Sequence, residues 1–141
     1  DFFERTFTIQ VISDNPLDSD NDQLPDAWEL THFASLATQG GSDDSDTDGS
    51  NNYEELLFDT LPNDPNSKLD LQMIDLTDRF TIQWFSSSNR SYRLQSSTDL
   101  ETAFWIDSPR GLRVGTDALM IETLLNNGLQ KRFFRVVVEN P

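Results

Sequence analysis

Cysteine is absent from this 141-residue chain, histidine occurs once, and 10 basic side chains stand against 25 acidic ones. Without Cys there is neither a disulfide framework nor a thiolate metal site. A hard cation is then the available staple for a small, Asp-rich segment. With His32 as the lone imidazole, Ser-His and Cys-His nucleophilic centres are nearly excluded, and the chain reads as non-enzymatic. A formal charge of −15 argues against nucleic acid as a partner. No apolar run approaches the ~18 residues of a membrane span. No purification tag, initiator Met or leader precedes Asp1, so the chain is read as a processed mature form or a segment of something longer.

The excess negative charge is all in the first half. Residues 1–67 hold 16 acidic side chains and one basic one, Arg5, whereas residues 68–141 hold nine of each. Two twelve-residue windows account for most of it. The second runs from Asp44 to Glu55, with carboxylates Asp44, Asp46 and Asp48 at positions 1, 3 and 5, Gly49 at 6, Asn52 at 9 and Glu55 at 12. Alternate side chains of a tightly wound loop converge on one point. Position 7, Ser50, offers its backbone carbonyl, and the closing glutamate offers two oxygens from the first turn of a helix. Such an all-oxygen, highly anionic set suits Ca²⁺ rather than Zn²⁺ or copper.

The first window, Asp18 to Glu29, repeats the grid with Asp18, Asp20 and Asp22 at positions 1, 3 and 5. Leu24 supplies the position-7 carbonyl, Asp26 a carboxylate at 9, and Glu29 the closure. It departs at position 6, where Gln23 replaces Gly. A non-Gly residue at positive φ costs roughly 1 kcal/mol, so this loop is expected to be strained or differently wound. A solvated acidic linker is the plainer alternative, but two grids in register, 26 residues apart, are improbable by accident.

The paired windows, with Leu24-Pro25-Asp26 in the first and Gly49 in the second, resemble the thrombospondin type-3-like, EF-hand-like calcium repeats of bacterial secreted and surface proteins. The resemblance covers residues 14 to 66 and implies two structural Ca²⁺ sites outside the cell, where calcium is millimolar. In such repeats a Thr-Asp-Pro-x-Asp-Pro segment often follows. Here Thr60-Leu61-Pro62-Asn63-Asp64-Pro65 has Leu61 in place of one ligand, leaving Asn63 and Asp64 for a third ion.

Strict alternation makes Phe3–Ile12 a half-buried strand with Phe3, Phe7, Ile9 and Val11 on one face. It has no partner in the next fifty residues, so an isolated strand is expected. Helices are expected over Ala27–Thr38, opened by Asp26 and stopped by Gly40-Gly41, and over Tyr53 to about Phe58. Leu56 and Leu57 are expected to pack on Trp28 and Leu30. From Lys68 the texture turns to short strands, near 69–76, 79–85, 91–97, 103–107, 117–125 and 131–139. Turns are expected at Ser86–Arg90, Gly111–Gly115 and Asn126–Gly128. This run resembles the small C-terminal β-domains of secreted bacterial proteins. The predicted architecture is mostly β: an Ig-like antiparallel β-sandwich (68–141), preceded by a paired loop–helix calcium module (14–67) and the strand (1–13).

Three functional readings stay open. A cell-surface filament would form if Phe3–Ile12 added to the open sheet of a neighbouring copy. A non-catalytic appendage of a secreted enzyme would use the sandwich, with Trp84, Tyr92, Phe104 and Trp105 as candidate stacking rings, to bind polysaccharide. A strand folded back on its own sandwich would give a monomer.

Overall fold

A computed structural model describes residues 8–9 (backbone only), 17–100, 104–126 and 132–139. Phe3, Phe7, Val11, the start of the strand expected at 103 and the Asn127-Gly128 turn lie outside the described residues. The chain is mostly β and separates into two compact units, one within Ile12–Leu69 and one within Asp1–Val11 and Asp70–Pro141. Lys68 and Leu69 therefore belong with the acidic module and not with the sheets.

The β unit contains eight strands among the described residues: β1 (Thr8–Ile9), β2 (Gln72–Leu76), β3 (Arg79–Ser86), β4 (Ser91–Ser97), β5 (Ile106–Asp107), β6 (Arg113–Val114), β7 (Ala118–Leu125) and β8 (Phe133–Glu139). One sheet runs β1-β8-β4-β5, with β6 also on β4; the other runs β2-β3-β7. Alternation explains the core. Phe80, Ile82 and Trp84 of β3 are buried between exposed or half-buried neighbours; Tyr92 and Leu94 of β4 and Phe134 and Val136 of β8 are buried as well, with Ser91 and Val137 buried beside them. These faces meet across the sheets: the Phe80 and Phe134 rings lie 5.5 Å apart and the Trp84 and Tyr92 rings 6.3 Å apart. Trp84 and Tyr92 are therefore core residues, and a stacking role for them is ruled out. One charge joins this core, Glu122, which is 2% exposed and accepts a 2.8 Å bond from Arg113.

Two expectations need correction here. The N-terminal strand is not isolated: β1 pairs in parallel with β8 of its own chain, Thr8 opposite Val137 and Ile9 opposite Val138. No partner lies nearby in sequence, but loop-closure cost grows only logarithmically with separation, so a distant edge is nearly as accessible. The Gly111–Gly115 segment is not only a turn, because Arg113 and Val114 pair with Tyr92 and Ser91.

The outer face of the three-stranded sheet is unusually apolar. Ile74, Leu76, Phe85, Leu119, Ile121 and Leu125 are all exposed along β2, β3 and β7. On the other sheet, Arg135 stacks 4.3 Å over the half-buried Trp105, while Phe104 is 69% exposed.

The acidic unit carries α1 (Asp26–His32) and α2 (Asn52–Phe58). Helix α2 starts at a reciprocal cap in which Asn51 accepts from the Glu54 N–H and Glu54 accepts from the Asn51 N–H. Helix α1 is shorter than its apolar stripe implied. It ends at His32 with Phe33 as its C-cap, and Ala34 turns left-handed at φ 55°. The cap preceding it is Pro25 rather than Asp26. Leu30 is 54% exposed, and the Trp28 ring packs on His32 (4.5 Å) and Phe33 (5.6 Å).

Candidate metal centres

The two acidic windows wind alike. Position 4 is left-handed in both (Asn21 φ 62°, Thr47 φ 63°), and so is position 6 (Gln23 φ 82°, Gly49 φ 96°). Position 1 organises each turn from inside. The Asp18 carboxylate accepts the N–H groups of Asn21, Asp22 and Gln23, and that of Asp44 accepts those of Asp48 and Gly49. Position 5 repeats as well: Asp22 accepts from the Leu24 N–H at 2.9 Å, and Asp48 from the Ser50 N–H at 2.8 Å. Gln23 thus adopts the winding that Gly49 adopts without strain, and its local conformation is paid for by the rest of the loop.

This winding gathers the carboxylates. One oxygen each from Asp18, Asp20 and Asp22 lies within 4.8 Å of the other two, and Asp44, Asp46 and Asp48 form a second such triad. Acidic triads at a surface are common without an ion. The glutamates at position 12 are different. Glu29 and Glu55 are 0% exposed; neither oxygen of Glu29 has a hydrogen-bond partner, nor does Oε2 of Glu55. The other Glu55 oxygen accepts weakly from Thr60 at 3.3 Å. Burial, followed by the charges of Asp22 and Asp20, pushes the Glu29 carboxyl up to about 7. Burial and then Asp46 and Asp48 do the same to Glu55. Asp20 and Asp46 are also raised, first by desolvation and then by Asp22 and Asp48 respectively. A buried carboxylate facing three others, without a donor, is stable only if protonated or if a cation sits among them.

Not every residue of the grid points that way. Both polar atoms of buried Asn52 are engaged, Oδ1 accepting from the Ser45 hydroxyl and Nδ2 donating to the Gly40 carbonyl. Asp26 accepts the Ser19 N–H and hydroxyl, both at 2.7 Å, and the Ser19 hydroxyl bond holds its carboxyl below the usual range. Position 9 therefore closes each loop mechanically. Leu24 is fully buried, so at position 7 its side chain is an anchor as well as its carbonyl a candidate ligand. Asn63 and Asp64 do not build a third cage. Asn63 donates to the His32 carbonyl at the end of α1, and Asp64 accepts from Asn66 in a turn. Among the described residues only the two triads gather.

Two contributors leave no signal in residue spacing. Gly41 reads as a helix stop, yet a Cβ there would sit 2.5 Å from the Asp22 carbonyl and 3.4 Å from the Tyr53 Cβ. The second loop's approach thus rests on the backbone of the first, which couples the cages. Lys68 donates to the Asp48 carbonyl at 3.0 Å. His32 contributes no ligand; burial against Trp28 lowers its pKa.

Comparison with protein-family models, with curated protein sequences and with solved structures finds no match for this chain.

Two predictions follow from the loop geometry. Gln23→Gly relieves positive-φ strain and should raise the stability of the metal-free unit by about 1 kcal/mol, whereas Gly49→Val should lower it by at least as much. Denaturant titration giving the reverse order would contradict the winding. The second prediction concerns pH. Glu29 and Glu55 have folded pKa values of about 7 against an ordinary 4.5. The folded chain then holds protons that the unfolded chain has released, so the metal-free unit should lose stability as pH rises from 4.5 through 7. Melting in chelator at pH 5 and pH 8 tests this; equal or higher stability at pH 8 contradicts it.

Proposed function

We propose that the chain is an extracellular, calcium-stabilised structural protein without catalytic function. In this reading, residues 14–67 are a thrombospondin type-3-like, EF-hand-like pair of loops, and the β unit is an Ig-like sandwich. The observation that carries it is the pair of fully buried, under-bonded glutamates, Glu29 and Glu55, each closing a loop whose Asp triad already converges. Asp18, Asp20, Asp22 and Glu29 would hold one ion, and Asp44, Asp46, Asp48 and Glu55 the other, with the carbonyls of Leu24 and Ser50. Carboxylate and carbonyl oxygens in a flexible loop suit Ca²⁺, which accepts six to eight such ligands; Mg²⁺ demands tighter octahedral geometry. Moderate sites of this type fill at millimolar extracellular calcium, which supports a location outside the cell.

A second reading concerns assembly. The apolar outer face of β2-β3-β7 and the edges of β2 and β7, unpaired among the described residues, support a protein that meets another body, either another copy or a larger secreted protein. Self-association through Phe3–Ile12 now requires β1 to leave its own β8, where Thr8 and Ile9 lie opposite Val137 and Val138, for that of the next subunit. The polysaccharide-binding appendage retains Phe104 and Trp105 as surface rings, though Arg135 covers one face of Trp105.

Chelation tests the proposal. With EDTA, four carboxylates in each loop face one another without a divalent counter-charge, and residues 17–69 should become protease-sensitive while the β unit resists. Restoring millimolar Ca²⁺ should restore protection. Identical digestion with and without chelator would overturn it. Sedimentation of the calcium-loaded sample distinguishes the assembly readings, since a concentration-independent monomer removes the filament.

A further inference from the structure

Residues 17–69 contain 13 carboxylates and one permanent cation, Lys68. Its ammonium is directed at one cage alone. It donates to the Asp48 backbone carbonyl at 3.0 Å and lies 4.0 Å from Asp48 Oδ2. The Asp48 side chain is 1% exposed, and Oδ2 is otherwise without a hydrogen-bond partner, while Oδ1 is held by the Ser50 N–H. Asp22, at the same position of the first loop, has no such neighbour among the described residues: the other ionisable base of the segment, His32, is packed against Trp28.

We propose that Lys68 is a tethered counter-ion of the second cage, which weakens that cage's affinity for a divalent cation and makes the two sites unequal. The inference rests on the calcium reading of the two loops. A unit positive charge a few ångströms from a bound divalent ion repels it, and Asp48 shares its negative charge with the ammonium instead of giving it wholly to the metal. Because Lys68 is 38% exposed, solvent screens the repulsion and keeps the effect modest. The same contact neutralises part of the cage when no metal is bound, so the second loop is held by a protein charge where the first has none among the described residues.

The experiment is calcium titration of the full chain by calorimetry, in a Glu29→Gln background that disables the first cage. Lys68→Gln should tighten the remaining site by roughly three- to tenfold at low salt. The gain should shrink as ionic strength rises. Lys68→Arg, which keeps the charge, should bind as the Lys68 chain does. In a Glu55→Gln background, where only the first cage remains, Lys68→Gln should change nothing. If Lys68 merely props the Asp48 carbonyl, Lys68→Gln will weaken binding or leave it unaltered at every salt concentration, and the inference is overturned while the cages stand. If neither background nor the parent binds calcium, the two-cage reading itself fails and takes this inference with it.

Discussion

The constraint on which the acidic unit depends is the burial of Glu29 and Glu55 against other carboxylates. A charged group withdrawn from water needs a donor or counter-charge, and Glu29 has no hydrogen-bond donor among the described residues. Every other choice in the loops sharpens the same demand. The Asp residues at positions 1 and 5 use backbone N–H groups to bend the chain around a point, and the helices then place a fourth carboxylate against it. A proton satisfies the arrangement at low pH, as the raised pKa values of about 7 express; at neutral pH the proposed function assigns that part to a divalent cation. Under that proposal, metal binding and folding of this segment are two descriptions of one equilibrium.

The cages are similar in winding and unequal in support. The first has a strained Gln23 at the position where the second has Gly49. The second has Asn52 locked to Gly40 and Ser45, a reciprocal cap on its helix, and Lys68 on Asp48. Gly41 joins them, because only a residue without Cβ can let the second loop's lead-in press on the Asp22 carbonyl. An alteration at that glycine is therefore expected to reach both sites, although it is a ligand in neither.

Much of this was legible from residue spacing. The converging positions 1, 3 and 5, the closing glutamates and the positive φ demanded of Gln23 follow from a twelve-residue period, since each is a local property of a tight loop. The strands 79–86 and 91–97 were legible for the same reason, alternation being local. What spacing did not show is tertiary. Asn52 and Asp26 have ligand chemistry, but their partners Gly40, Ser45 and Ser19 captured them first. Lys68 sits in sequence at the start of the β-rich half and in space beside Asp48. Thr8–Ile9 reaches an edge that the chain creates only in its last residues, and Arg113–Val114 is too short to show a period at all. Helix α1 stops at His32 because the backbone turns at Ala34, a residue type with no preference for doing so.

The central claim is that each buried glutamate marks one cation. Equilibrium dialysis with radioactive calcium on the full chain, at neutral pH and millimolar calcium, counts the ions directly. Two per chain are predicted, falling to one in Glu29→Gln, one in Glu55→Gln and none in the double variant. Zero ions in the parent, or a count that ignores both substitutions, would contradict the account.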